Sequence, residues 1–185
     1  MTQTRITAGE WRGRLIDTPA GSKTRPTSSK VREAIFNILG DRVDDARVLD
    51  LYAGAATFSF EALSRGAAQA TVVERDPKVV ALIAKTAARL ECVDQIEMVT
   101  ADVTRWLSRQ DQDGLGADIV WLDPPYKDAG IEALLEKISR HTPPLVVCEH
   151  HRARPPRDRI GNLVATRRAN YGQTTLSFYQ PEGSK

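Results

Sequence analysis

Four consecutive residues, Asp123-Pro124-Pro125-Tyr126, combine an acid, two rings that fix φ and a phenol. The prolines remove two backbone donors and stiffen the loop, so it offers acceptors: the Asp123 carboxylate and the Pro124 carbonyl. Such a loop suits an exocyclic NH₂ group with two hydrogens to donate, and Tyr126 can stack on the ring that carries it. The plainer reading is a strand terminator with a capping aspartate. Three more acids form a series: Asp50 and Glu74 close successive apolar runs, and Asp102 follows a third. Asp50 opens the small-residue turn Asp50-Leu51-Tyr52-Ala53-Gly54-Ala55-Ala56-Thr57, and Glu74 lies twenty residues beyond Gly54. A turn of this kind lets a ligand approach the backbone at the carboxyl edge of a sheet, where an acid accepts hydrogen bonds from ribose hydroxyls. Asp102 stands where a carboxylate could read an adenine amino group, and taken singly it is a helix N-cap ahead of Val103. Ala56 and Ser59 hold the second and third places of G-x-G-x-x-G. That argues against a nicotinamide dehydrogenase and leaves a mononucleoside ligand open.

These residues need a scaffold, and the chain supplies one from Val48 onward. Continuous apolar runs at Val48–Leu51, Ala70–Val73, Ile96–Val99, Ile119–Leu122 and Leu145–Cys148 read as buried strands. Helices fall between them: Phe58 to Ser64 closed by Gly66, a helix capped by Asp76 with Pro77 first, a short one from Val103 to Ser108, and one from about Ala129 to Arg140. This alternation predicts an α/β fold with a mostly parallel sheet covered on both faces. Leu163–Thr166 and Thr174–Tyr179, joined near Tyr171-Gly172, predict an antiparallel hairpin at one edge. Ahead of the body, Arg5 to Ile16 reads as a small hairpin, and Ser28 to Leu39 as a helix ended by Gly40.

Charge divides along the same lines. Residues 1–40 carry a net +4, residues 41–149 a net −7 and residues 150–185 a net +5, an acidic body between basic ends. Clustered Lys and Arg suit a polyanion, because they displace the counterions condensed on a phosphate backbone. Arg5, Arg12, Arg14, Arg25, Lys30 and Arg32 are the candidate phosphate contacts, with Trp11 at the hairpin tip placed to stack on an unpaired base. The division expected is a basic extension over 1–40 that would bind a nucleic acid and a domain carrying the Asp123 loop over 41–185. The longest apolar stretch, Val79 to Ala84, is far short of the roughly 20 residues that cross a bilayer. The first twenty residues lack the apolar core of a secretory signal, so a cytoplasmic protein is expected. Cys92 and Cys148 show no metal-ligand or disulfide spacing.

The Asp-Pro-Pro-Tyr tetrapeptide with its series of acids resembles the S-adenosylmethionine-dependent amino-methyltransferases. Four segments together resemble the bacterial small-subunit ribosomal RNA guanine-N2 methyltransferases, named for guanine 966 of 16S rRNA. They are Arg25 to Leu39, Val48 to Gly54, Phe60 to Ala67 and Trp121 to Tyr126. The resemblance covers nearly the whole chain and departs where that family has glycines at the places of Ala56 and Ser59. It implies a Rossmann-like class I methyltransferase fold with seven strands, and S-adenosylmethionine as cofactor. Asp50, Tyr52 and Gly54 would line the methionine side, Glu74 would take the ribose and Asp102 the adenine. Asp123 would border the cofactor and, with Pro124, Pro125 and Tyr126, receive the guanine. The substrate implied is 16S rRNA, free or within a partly or fully assembled small subunit, and the protein a monomer without membrane partners. An adenine-N6 DNA methyltransferase and a non-catalytic RNA-binding protein with a degenerate cofactor site are the alternatives.

Overall fold

The computed structural model describes residues 2–19, 29–110, 114–125 and 130–184. A two-stranded hairpin, β1 (Thr2–Arg5) and β2 (Leu15–Thr18), precedes α1 (Ser29–Leu39). The body follows as β3 (Arg47–Leu51), α2 (Thr57–Ser64), β4 (Gln69–Glu74), α3 (Pro77–Leu90), β5 (Ile96–Thr100), α4 (Val103–Leu107), β6 (Ile119–Leu122), α5 (Ile131–Ser139) and β7 (Leu145–His151). It ends in β8 (Arg159–Ile160), β9 (Leu163–Tyr171) and β10 (Thr174–Pro181). Asp76 caps α3 by accepting a hydrogen bond from the Lys78 amide, with Pro77 at the first helical position.

The main sheet has the order β5-β4-β3-β6-β7-β10-β9-β8. The first five of these strands are parallel, and β10, β9 and β8 are antiparallel to their neighbours. The expected edge hairpin is therefore present, but the sheet holds eight strands rather than seven. The extra strand β8 forms because Gly161 turns back at φ 57°, letting Arg159 and Ile160 pair with Val164 and Leu163. A side chain at Gly161 would also collide with Ser139 at the end of α5.

Because strand side chains alternate, the sheet has two buried faces. Val48, Val72, Trp121, Val147 and Phe178 pack with α1, α2 and α3, while Leu49, Val120, Leu122, Val146 and Tyr179 pack with α4 and α5. Parallel strands buried on both faces must be apolar throughout, which is why they stand out in the sequence.

The N-terminal hairpin does not stand apart. Ile6, Trp11 and Ile16 are buried in the same cluster as α1, α2 and α3. Trp11, expected to present its ring to RNA, is only 8% exposed. Its amide donates to Ser64 Oγ at 3.0 Å, and the Glu10 amide donates to the Ser64 carbonyl at 2.7 Å. A large ring with a polar rim gains more from burial against α2 than from waiting in water. Gly9 makes the approach possible: at φ 81° it lies so close to the end of α2 that a Cβ would fall 1.7 Å from the Ser64 carbonyl oxygen.

Candidate active site at the carboxyl edge of the sheet

The helices α2 and α3 run back from the ends of β3 and β4, so the carboxyl ends of the parallel strands form one edge, and Asp50, Glu74, Asp102 and Asp123 gather there. The turn after β3 is tightly wound. Tyr52, Gly54 and Ala56 all adopt the left-handed region, at φ 64°, 53° and 53°. For Tyr52 and Ala56 this is strained by roughly 1–2 kcal/mol each, the cost of crowding Cβ against the following carbonyl. Position 56 is thus one where the backbone itself favours glycine, and Ala56 meets the demand with the smallest side chain that has a Cβ.

Ser59 stands in the other expected glycine place. Its hydroxyl donates to Asp50 Oδ2 at 2.7 Å, while Asp50 Oδ1 is buried with no hydrogen-bond partner. Asp50 is 1% exposed. Burial pushes its carboxyl up to about 7 against the partial relief of the Ser59 bonds, and the nearby Glu74 charge adds to the rise. Glu74 accepts from the Gly54 amide at 3.0 Å and the Asp76 amide at 2.9 Å. It therefore clamps the β3 turn to the start of α3 and still presents lone pairs outward. Asp102 caps α4, with Oδ1 accepting from the Arg105 amide at 3.0 Å. Its helix-capping reading holds whatever else it does.

Asp123 follows β6 directly, and β6 is braced from behind. Trp121 stacks on Phe58 of α2 with ring centroids 4.7 Å apart, and Phe58 stacks on Phe36 of α1 at 5.1 Å. Leu122 is paired with Cys148 on β7, so Asp123 and Glu149 come next at matching positions on adjacent strands. Glu149 is 4% exposed and was not singled out from the sequence. Burial, then the Glu149 charge, then that of Asp50 raise the Asp123 carboxyl well above the usual carboxylate range. Asp50 on β3 and Glu149 on β7 thus lie close enough to Asp123, just past the end of β6, for their charges to act on it. Pro124 is buried beside them and Pro125 is half-buried. Tyr126, the stacking candidate, lies outside the described residues.

The expected phosphate contacts separate into unlike groups. Arg32 is corrected outright: it is 1% exposed, with Nε donating to Glu61 Oε2 at 3.1 Å and Nη2 to the Arg5 carbonyl at 2.6 Å. It lies on the buried face of α1 with Ile35, Phe36 and Leu39, the i, i+3, i+4, i+7 pattern of a core stripe. Glu61 is the hub of this region. It also accepts from the Thr7 and Ala8 amides and from Arg65, joining α1, α2 and the hairpin. Arg5 and Arg14 are occupied by the carbonyls of Gly13 and Arg89. Arg12 and Lys30 are exposed, and Arg25 lies outside the described residues.

A parallel sheet ordered this way, closed by an antiparallel hairpin and carrying an acid at the end of each site strand, defines a Rossmann-like class I S-adenosylmethionine-dependent methyltransferase. Residues 4–180 match the family described as "Conserved hypothetical protein 95", and the chain belongs to that family. It is 35% identical over 183 residues to "Putative rRNA methyltransferase YlbH" of Bacillus subtilis, covering 97% of this chain and 100% of that one. To "Ribosomal RNA small subunit methyltransferase D" of Escherichia coli K12 it is 38% identical over 130 residues, 70% of this chain and 64% of the relative. Among solved structures, "Putative methyltransferase yhhF" from Escherichia coli superposes with a TM-score of 0.85 at 32% identity, covering 99% of this chain and 100% of that chain. An RNA methyltransferase from Salinibacter ruber in complex with S-adenosyl-L-homocysteine shares the fold, with a TM-score of 0.65 at 19% identity over 86% of this chain and 96% of the other.

Proposed function

We propose that the chain methylates small-subunit ribosomal RNA, transferring the methyl group of S-adenosylmethionine to the exocyclic N2 of a guanine. The rRNA methyltransferases among its relatives support the substrate class. The observation that carries the chemistry is the acceptor edge, Asp123 and Pro124, set beside a cofactor turn on the same edge of the sheet.

The residues fit the cofactor. Asp50 Oδ1 is a buried acceptor without a partner, and the space above Gly54 is open, since a Cβ there would meet nothing within 4 Å. An anionic Asp50 complements a sulfonium, and Glu74 and Asp102 retain lone pairs for the ribose and the adenine amine. The bound cofactor supplies a methyl group activated by the positive sulfur.

The amine nitrogen of guanine is a poor nucleophile because its lone pair is delocalised into the ring. Hydrogen bonds from N2 to the Asp123 carboxylate and the Pro124 carbonyl favour the pyramidal form and aim its lone pair. On attack N2 would take the methyl group, the sulfonium leaving as a neutral thioether, and N2 would then give up a proton. Asp123, made more basic by burial and by Glu149, is placed to take it. Reaching N2 requires the base to leave its stack.

The test is Asp123→Ala, assayed for methyl transfer to 16S rRNA, purified small subunits and duplex DNA, with N2-methylguanosine mapped in the product. The variant loses transfer to rRNA while its affinity for S-adenosylmethionine, read by calorimetry, stays near wild type. Turnover at the wild-type rate sinks the role of Asp123, and transfer by the wild type to duplex DNA alone sinks the substrate.

A further inference from the structure

The catalytic edge is dense in acid. Asp50, Glu74, Asp102, Asp123 and Glu149 all stand on it, which suits a cationic cofactor and a neutral base but repels the phosphates on either side of that base. A nucleic acid held there needs cations on the same edge, close to Asp123 and not consumed by the protein itself.

The N-terminal hairpin does not supply them. Its turn is fastened to Ser64 and Arg89, the last residue of α2 and a last-turn residue of α3. Those helix ends lie where β4 and β5 begin, at the opposite edge of the sheet from Asp123.

The segment after β7 does. Glu149 is level with Asp123, and Arg152 is three residues further on, at most about 10 Å of chain. Because β10 is antiparallel to β7, with Thr174 opposite His151, the turn between β9 and β10 lies at this edge too. The Arg152 amide donates to the Gln173 carbonyl at 2.7 Å, tying the segment to that turn. The Ala153 amide donates to His151 Nδ1 at 3.1 Å and the Arg154 amide to the His151 carbonyl at 2.9 Å. The backbone from 151 to 154 is therefore held in a tight turn while the side chains of Arg152 and Arg154 are exposed.

Of the other C-terminal arginines, Arg157 pairs with Glu132 and Glu136, Arg159 with Glu182 and Arg168 with Asp158, while Arg167 stands back from this edge, opposite Phe178 in the middle of β9. Among the described residues the guanidinium groups of Arg152 and Arg154 have no hydrogen bond and no ion pair. A pair of unneutralised guanidiniums on a fixed turn, on the same edge of the sheet as the cluster of acids, has the form of a phosphate clamp.

We propose that Arg152 and Arg154 grip the RNA backbone next to the guanine presented to Asp123, and that this C-terminal segment, not the N-terminal hairpin, is the phosphate contact nearest the chemistry. The proposal rests on the RNA reading given above.

Its test compares Arg152→Gln/Arg154→Gln with the wild type and with Arg5→Gln/Arg12→Gln/Arg14→Gln. Binding to 16S rRNA and to purified small subunits is measured across a range of KCl, and S-adenosylmethionine binding by calorimetry. The C-terminal pair weakens RNA binding by roughly 25-fold, from about fivefold for each exposed charge contact. It also flattens the log–log salt slope by roughly 1.4, at about 0.7 for each contact with single-stranded RNA. Cofactor affinity is unchanged. If the pair binds RNA with wild-type affinity and slope, or if the loss falls on the hairpin variant alone, the clamp is overturned while the RNA reading stands. A wild type that binds neither rRNA nor subunits in a salt-dependent way overturns both.

Discussion

Replacing Asp50 with asparagine should make the unliganded protein more stable and the cofactor site worse. The carboxyl sits 1% exposed, one oxygen held by Ser59 and the other without a partner, and titrates near 7 instead of 3.8. A carboxyl whose folded value is raised binds its proton more tightly in the fold. The stability this contributes is complete below about pH 4, falls as pH rises from about 4 to 7, and is gone above 7. The gap in proton affinity corresponds to of order 4 kcal/mol, which the wild type forgoes at pH 8 by holding a buried negative charge. Asparagine removes the charge and keeps an acceptor for Ser59, but it leaves amide hydrogens unpaired at a cost of about 1–3 kcal/mol. The expected net gain at pH 8 is therefore about 1–3 kcal/mol, or roughly 2–12 °C in Tm for a chain of this size. Urea unfolding of both proteins at pH 5 and pH 8 reads it: the advantage of Asp50→Asn shrinks by about 2–3 kcal/mol at the lower pH. Calorimetry on the same samples shows weaker binding of S-adenosylmethionine. An advantage equal at the two pH values, or a wild type that is the more stable at pH 8, refutes the buried-charge account.

Glu149→Gln removes the negative charge beside Asp123, so Asp123 holds its proton less tightly and the acid limb of the kcat/KM profile moves to lower pH; a profile that only drops in height assigns Glu149 to structure alone. Glu74→Ala should weaken S-adenosylmethionine by about ten- to a hundredfold, the loss of a charge-assisted contact worth roughly 1.5–3 kcal/mol, and an unchanged dissociation constant would refute the ribose assignment. Glu61→Ala leaves Arg32 as a buried charge without its carboxylate and should cost about 3–5 kcal/mol, seen as a fall of roughly 6–20 °C in Tm. A shift of a degree or two would mean that the hairpin and α1 are held by their apolar contacts instead.

The parts of the fold that could be read from the chain are those where one requirement dominates. Strands buried on both faces are apolar runs, and Asp76-Pro77 starts a helix as those residue types do. Where two requirements compete, residue type alone decided wrongly. Trp11 among arginines suits a stacking contact or a core residue equally well, and only its packing on α2 settles which. Arg32 has the residue type of a surface cation, whereas its spacing from Ile35, Phe36 and Leu39 places it on the buried stripe of α1. Glu149 follows an apolar run as Asp50 and Glu74 do, and the same series extended to the fifth run of the parallel sheet includes it. Glu61 had a local sign as well, an acid inside an otherwise apolar helix with Arg65 four residues on. The partners of Glu61 in the hairpin, more than fifty residues away, had none.

The aromatic column of Phe36, Phe58 and Trp121 works as a ruler. Phe58 is the second residue of the helix that leaves the cofactor turn, and Trp121 is two residues ahead of Asp123. Flat rings in van der Waals contact can neither compress nor slide far without losing packing. The turn proposed to take the methyl donor and the loop proposed to take its acceptor are thus spaced by the thickness of stacked rings. An in-line displacement depends on a separation of a few ångströms, and here that separation is built into the core. Neither substrate has to draw two halves of the protein together to create it.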